Sequence, residues 1–257
     1  MFDAARFRSL AGERGLTLGE PLDYRELTAS TNDSALIAAR SGAPHGATFV
    51  AGAQSAGRGR RGQRWLSGAG ENLLFSVLLR PKLEPAHAST LTLAVGLAVR
   101  DALLPRVSGA IQLKWPNDLL IGTAKLAGIL LESQLQGSQL SAVVVGVGLN
   151  VHAREFPAGL ALPATSLALC GSVELEHERL LVDILAALER RLVAFERDGV
   201  TRLLPELKQC DALLERKVRV ETVAGIARGI DDAGRLVIED SAGALHHVAS
   251  GSVEWLD

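Results

Sequence analysis

The sequence predicts an α+β protein in two parts: a large domain over residues 1–213 and a small all-β module over 214–257. Three observations carry that reading. First, nearly continuous apolar strand runs, such as Asn72 to Leu79 and Leu140 to Val151, are interleaved with helical periods, and the longest of these spans 176–197. Second, the texture changes after Leu214. Five short strand runs then follow at close spacing, with Asp232-Ala233-Gly234 and Ser241-Ala242-Gly243 as turns. Third, a hydrophobic content of 47% in 257 residues is ample for a sizeable core.

Taken in order, residues 2–12 read as a short amphipathic helix and Leu22 to Leu27 as a strand. Ser30-Thr31-Asn32-Asp33 supplies N-cap chemistry for a helix running to Arg40 and stopped by Gly42. Ala47 to Ala53 and Asn72 to Leu79 are strands, and 86–104 is a helix apolar on most faces that belongs against the sheet. Ile111 to Trp115, Leu119 to Ile121, Lys125 to Glu132 and Leu140 to Val151 are strands; Pro116-Asn117-Asp118 is turn chemistry between the first two. Glycines within Leu140 to Val151 mark places where a backbone or ligand comes close. Helices follow at 176–197 and 201–210, then the strands of the terminal module, read as a barrel leaning on the large domain.

Composition excludes several classes. The formal charge of −2 gives no whole-protein field for DNA, RNA or an anionic membrane. Two cysteines, Cys170 and Cys210, form no metal or disulfide pattern and suit a reducing cytoplasm. The N-terminus, with Asp3, Arg6 and Arg8, carries no visible signal peptide. The apolar segment Leu91 to Leu104 is interrupted by Arg100 and Asp101 and is too short for a bilayer. No repeat is present, and no residue set is singled out as a metal site.

The chemistry concentrates at Gly57 to Trp65, with four arginines and three glycines in nine residues. Guanidinium forks match phosphate and carboxylate oxygens, and glycine lets a backbone approach a ligand. Gly57, Gly59 and Gly62 fit G-x-G-x-x-G, but no helical period follows, which counts against a dinucleotide fold. A solvated basic loop or nucleic-acid patch lacks a second basic patch to support it. The third reading is a loop that closes on a nucleotide or acyl-phosphate. Ser30, Thr31 and Asn32 serve as caps or as ligand donors at a helix N-terminus. Gln54 is a loop hydrogen-bonder or a ligand contact, and Lys125 is a solvated strand end or a site cation.

Ser30-Thr31-Asn32, Gln54 through Trp65, Lys114-Trp115-Pro116-Asn117-Asp118, Lys125 through Leu130 and Gly146-Val147-Gly148-Leu149-Asn150-Val151, in this order, resemble the biotin protein ligases. Gly225 to Asp231 resembles the terminal barrel of that family. The resemblance, which runs from about Leu22 to the end, implies a mixed sheet flanked by helices, of the class II aminoacyl-tRNA synthetase/biotin ligase type, plus an SH3-like barrel. It implies that biotin's carboxylate attacks the α-phosphorus of ATP, giving biotinyl-5′-adenylate and pyrophosphate. A lysine of a biotin carboxyl carrier protein then displaces AMP. By the same resemblance Ser30, Thr31, Asn32 and Gln54 bind biotin's ureido group, with Arg58, Gly59, Arg60 and Lys125 beside them. Arg58, Arg60, Arg61, Trp65, Lys114, Asn117 and Asn150 serve ATP. Lys125, Arg60, Arg58 and Lys114 offset charge as two anions meet, and Asp118 is either an acceptor-lysine base and cation orienter or a turn residue. Magnesium is expected on ATP's own phosphate oxygens.

Some family members carry an N-terminal winged helix-turn-helix. Only 21 residues precede Leu22, so a catalytic-only, cytoplasmic ligase without operator binding is expected. The strand Leu140 to Val151 and the arginine-loop side are expected as a homodimer edge. The competing functions are a lipoate protein ligase, for which the Gln54 and Ser-Thr-Asn cluster lacks purpose, and a non-catalytic biotinyl-adenylate sensor.

Overall fold

The structure is a computed structural model that describes residues 1–173 and 175–256. A seven-stranded sheet carries the large domain in the order β1-β2-β3-β7-β6-β5-β4. The strands are β1 (Leu22–Thr28), β2 (Thr48–Gln54), β3 (Asn72–Leu79), β4 (Ile111–Lys114), β5 (Asp118–Ile121), β6 (Ala124–Gln136) and β7 (Gln139–Asn150). The sheet is mixed, because β1 and β2 are parallel while every other pair is antiparallel. The helices are α1 (Ala4–Arg14), α2 (Thr31–Arg40), α3 (Leu91–Leu103), α4 (His177–Asp198) and α5 (Leu204–Cys210).

Strand alternation sorts the two faces. Leu73, Phe75, Val77 and Leu79 of β3, with Val143, Val145, Val147 and Leu149 of β7, join α1, α3 and α4 in the main core. On the opposite face Leu78, Ala142 and Val144 pack with Ala35 and Ala39 of α2, and that single helix covers only part of the sheet. The uncovered remainder holds Ser76 opposite Gly146, Gly146 opposite Leu130, and Gly148 opposite Gly128. Small residues there leave room for a ligand.

Element types follow the sequence reading, with ends shifted by a few residues. The first helix runs past Gly12 to Arg14 and is capped by Gly15 at φ 64. The apolar stretch 86–104 divides into a 3-10 segment and α3, almost all buried. β7 lies between β3 and β6 as a central strand, and the sheet edges are β1 and β4. One expectation changes. The terminal module is a five-stranded antiparallel sheet, β8 (Lys217–Val220), β9 (Val223–Ile230), β10 (Leu236–Glu239), β11 (Leu245–Val248) and β12 (Val253–Trp255). Its order is β11-β10-β9-β8-β12, and no pairing closes it into a barrel among the described residues. The module does lean on the large domain: Val218, Val220, Ala227, Leu236, Ile238 and Val253 merge with the main core.

Candidate active site

Helix α2 begins over the open face of the sheet, and its first residues line a cavity of about 810 Å³. Ser30 stands at the N-cap, yet its side chain makes no capping bond and is 2% exposed. Capping alone therefore does not account for this serine. Thr31 N–H donates to Gln54 Oε1 at 2.7 Å, and the Thr31 hydroxyl lies 3.2 Å from the same oxygen. With Oε1 committed, the Gln54 amide nitrogen keeps its hydrogens for the cavity.

Ser76 is the residue that sequence reasoning missed. Its Oγ lies 2.6 Å from Asn32 Oδ1 and 2.7 Å from Thr31 Oγ1, fully buried. A hydroxyl has one proton, and Oδ1 only accepts. Ser76 Oγ is therefore the donor, to Asn32 Oδ1 at the shorter distance or to Thr31 Oγ1, and the Thr31 hydroxyl donates on to Gln54 Oε1. Asn32 Nδ2 donates to Glu132 Oε2 at 2.7 Å and to Leu130 O at a longer 3.3 Å. A Cβ on Gly146 would fall 2.0 Å from Asn32 Oδ1, so glycine is required beneath that amide. The signal was present: Ser76 is the one polar side chain inside the run Leu73 to Leu79.

The arginine loop is a small hairpin. Gly59 N–H donates to Gln63 O and Trp65 N–H to Gly57 O. Gly57 lets the arms meet, since a Cβ there would sit 2.5 Å from Trp65 O. Arg61 turns the loop at φ 53, and no helix follows, which removes the dinucleotide reading. Arg58 pairs with Glu132 at 2.6 Å and Asp33 at 2.8 Å, while Arg61 reaches Glu221 of the terminal module at 2.6 Å. Arg60 has no carboxylate partner among the described residues. Burial, then the neighbouring Arg61 charge, lowers its pKa, against a raising contribution from Asp118. A desolvated cation facing the cavity is a ready anion site. The Trp65 ring lies over the glycine floor, 2.4 Å from where a Gly148 Cβ would stand, and its Nε1 is buried without a partner.

Lys125 Nζ lies 2.7 Å from Asp118 Oδ1 and 5.5 Å from the Trp65 ring centroid. Its backbone is pinned: Lys125 N–H donates to Pro163 O, Thr165 N–H to Lys125 O, and Asn150 Nδ2 to Thr165 O at 2.9 Å. That strap, carrying Phe156, Leu160 and Leu162, walls one side of the cavity. Other site candidates are built into the frame. Asn117 Nδ2 donates to Ile129 O at 2.8 Å, holding the β4–β5 turn against β6. Lys114 Nζ donates to Val253 O at 2.8 Å and stands 5.3 Å from the Trp255 ring. Burial lowers the Lys114 pKa, Asp118 raises it, and Lys125 lowers it further. All the candidates, Ser30, Thr31, Asn32, Gln54, Arg58, Gly59, Arg60, Arg61, Trp65, Lys114, Asn117, Asp118, Lys125 and Asn150, line one cavity.

Residues 24–150 match the Biotin/lipoate A/B protein ligase family, and residues 213–255 match the Biotin protein ligase C terminal domain. The chain is 36% identical to the biotin–[acetyl-CoA-carboxylase] ligase of Mycobacterium tuberculosis, with all of both chains covered. It is 35% identical to the enzyme of the same name from Paracoccus denitrificans over 84% of this chain and 93% of that one. A solved structure of the Aquifex aeolicus biotin protein ligase in complex with biotin and ATP superposes with a TM-score of 0.79. Identity is 27%, and 92% of this chain and 98% of that one are covered. With such likeness along the full length of a ligase, carried on the site-bearing sheet and the terminal module alike, the chain belongs to the biotin protein ligase family.

Proposed function

We propose that the chain activates biotin with ATP to biotinyl-5′-adenylate, releasing pyrophosphate, and transfers biotin to a lysine of the biotin carboxyl carrier protein of acetyl-CoA carboxylase. The observation that carries this is one cavity holding a neutral polar wall beside unspent positive charge. A cyclic urea offers two N–H donors and one carbonyl. Asn32 Oδ1, lying over the lining residue Gly146, is an acceptor for N–H, and Gln54 Nε2 and the uncommitted Ser30 hydroxyl are donors for the carbonyl. A site so paired rejects acids that lack the ureido group, because its own groups would stay unsatisfied.

The charged end carries the chemistry. Arg60 and Lys125 offset charge as carboxylate oxygen attacks the α-phosphorus and pyrophosphate leaves. Lys114, held by the Val253 carbonyl, and Arg58, released from Glu132 and Asp33, are the further cations at the phosphates. Asn150 sets the strap beside the nucleotide, Asn117 holds the turn that carries Asp118, and Trp65 lids the intermediate. In the second step the acceptor amine attacks the acyl carbon and AMP leaves, with Asp118 taking the amine's proton once Lys125 has turned to the new anion. The mixed anhydride hydrolyses in water, so a closing loop protects it. Magnesium is held through ATP oxygens. Among the described residues the carboxylates lining the cavity are Asp118 and Glu254, too few for an all-protein cage. Residues 1–213 act as the catalytic domain and 214–257 as its support, in the cytoplasm, acting on a protein and not a nucleic acid.

Biotin-dependent exchange of labelled pyrophosphate into ATP tests the reading, with lipoate as control. Exchange with biotin alone is expected. Exchange with lipoate alone would move the chain to lipoate chemistry, and tight biotin binding without exchange would make it a sensor.

A further inference from the structure

We propose that Glu132 is a positioning residue that fixes the donor–acceptor polarity of the acid-recognition wall and links that wall to the arginine loop. The inference rests on the biotin-activating reading given above. Glu132 does not line the cavity, so it acts through Asn32 and Arg58. It sits on the site face of β6, opposite Val144 and two residues beyond Leu130.

An asparagine amide has no intrinsic reason to present oxygen rather than nitrogen to a ligand. A carboxylate removes the choice because it only accepts. Glu132 Oε2 at 2.7 Å draws Asn32 Nδ2 to itself, and so turns Oδ1 toward Ser76 and the cavity. From Oδ1 the polarity runs on. Ser76 must donate to Asn32, because Oδ1 only accepts, and the Thr31 N–H and hydroxyl are left to donate to Gln54 Oε1. One anion thereby orients the Asn32 amide and the Ser76 hydroxyl. The same Oε2 takes Arg58 at 2.6 Å, so the loop's first arginine balances the charge that does this work. Glu132 is 26% exposed at its side chain and Arg58 38%, so Arg58 is free to exchange this partner for a phosphate. When it does, Glu132 keeps Asn32, and the wall holds its polarity through loop movement.

The test is selectivity in pyrophosphate exchange by the full chain, between biotin and an analogue whose ring N–H nearest Asn32 is replaced by ring oxygen. That analogue sets acceptor against acceptor, and the wild type is expected to prefer biotin by at least 100-fold. Glu132→Gln keeps the shape but can present either an acceptor or a donor to Asn32, so the amide polarity is no longer fixed and only Ser76 and the long Leu130 contact hold Asn32 as before. It should raise KM for biotin about 10-fold, cut the preference over the analogue at least 10-fold, and leave KM for ATP within about twofold. An unchanged preference ratio in folded E132Q overturns the proposal. Should E132Q not fold, Glu132→Asp, which withdraws the carboxylate from Asn32 Nδ2 by one methylene, must lower the same ratio or the proposal fails. Wild-type exchange without biotin dependence would instead overturn the functional reading beneath it.

Discussion

The recognition wall and the arginine loop use the same kinds of polar contact, yet they are built to opposite ends. In the wall Ser30, Thr31, Asn32 and Ser76 are 0–5% exposed and stand on the first turn of α2 and the middle of β3. Breaking one bond there leaves a buried group unpaired, at about 1–3 kcal/mol. In the loop the ion pairs are exposed: Arg58 and Arg61 side chains are 38% and 45% accessible, with Glu221 at 61%. Such pairs are worth about 0–1 kcal/mol. The wall is a fixed template for a neutral, directional ligand. The loop is a set of cations held cheaply enough to change partners, anchored at one end by Trp65 on its glycine floor. Specificity and movement are thus separated along one cavity.

Lys125 is where the two meet, and its loss is expected to have the largest effect. Lys125→Ala should slow adenylate formation about 10²- to 10³-fold in single-turnover measurements, the scale for removing one charge-stabilising donor. Biotin binding, which belongs to the wall, should change far less. Near-normal single-turnover rates would remove Lys125 from the mechanism.

Gly146→Ala strikes the wall alone. Its Cβ would fall 2.0 Å from Asn32 Oδ1, so the amide must move, and KM for biotin should rise about 100-fold. Gly62→Ala in the loop is the matched control. Gly62 has φ 76 and open space around it, so the cost is backbone strain of about 1 kcal/mol and only a few-fold change. Equal effects of the two substitutions would erase the distinction between the regions.

Sequence made much of this visible, for reasons tied to particular residues. Nearly continuous apolar runs marked β3 and β7, and Ser30-Thr31-Asn32, Gln54 and Lys125 do converge on one cavity. What was hidden depends on pairing partners. Ser76 sat inside a run read as apolar, and only the register opposite Gly146 shows that it faces α2. Glu132 reads as the polar end of a strand until Asn32 and Arg58, 100 and 74 residues away, are brought to it. Lys114 reads as a cation serving ATP, and the carbonyl that holds it is 139 residues distant. Close spacing of short strands suggested a barrel, yet spacing does not specify whether the first and last edges pair.

Titration separates both regions from their support. Asp211, beside β4, is pushed up to about 6 because burial disfavours its charge, despite hydrogen bonds from the backbone of residues 213 and 214. Its folded state holds the proton more tightly, so its contribution is full below the unfolded value and lost as pH rises through about 6. His177 is pushed down to about 4 by burial, then by the His152 ring 5.1 Å away and the N-terminal charge. Its contribution is full above the unfolded value and lost as pH falls through about 4. Across roughly pH 4–6 the two slopes oppose. Relative to wild type, His177→Gln should lose about 2 kcal/mol of stability between the ends of that window, and Asp211→Asn should gain about as much. Denaturant melts across the window measure this, and parallel curves for all three proteins would refute it. Neither residue lines the cavity, so selectivity among acids should stay constant.

Loop predictions are smaller in rate but specific in kind. Arg60→Gly removes the desolvated cation together with its hold on the intermediate. Free biotinyl-adenylate in solution should rise about 10-fold, with labelling of unrelated lysines, while the wall still admits biotin. Unchanged retention of the intermediate would sink the clamp assignment.

The weakest effect should come from Arg61→Ala, and its smallness is informative. Among the described residues an ion pair from Arg61 joins the loop to the turn at Glu221, where an exposed pair can contribute at most about 1 kcal/mol. If the terminal module steadies the loop only through this pair, the variant should behave like wild type at high salt, because ions screen an exposed contact. At low salt the loop of the ligand-free variant should exchange amide hydrogens a few-fold faster than wild type over 57–66. A large defect that persists at high salt would mean that Arg61 touches substrate instead, and that this arginine belongs with the fixed end of the cavity.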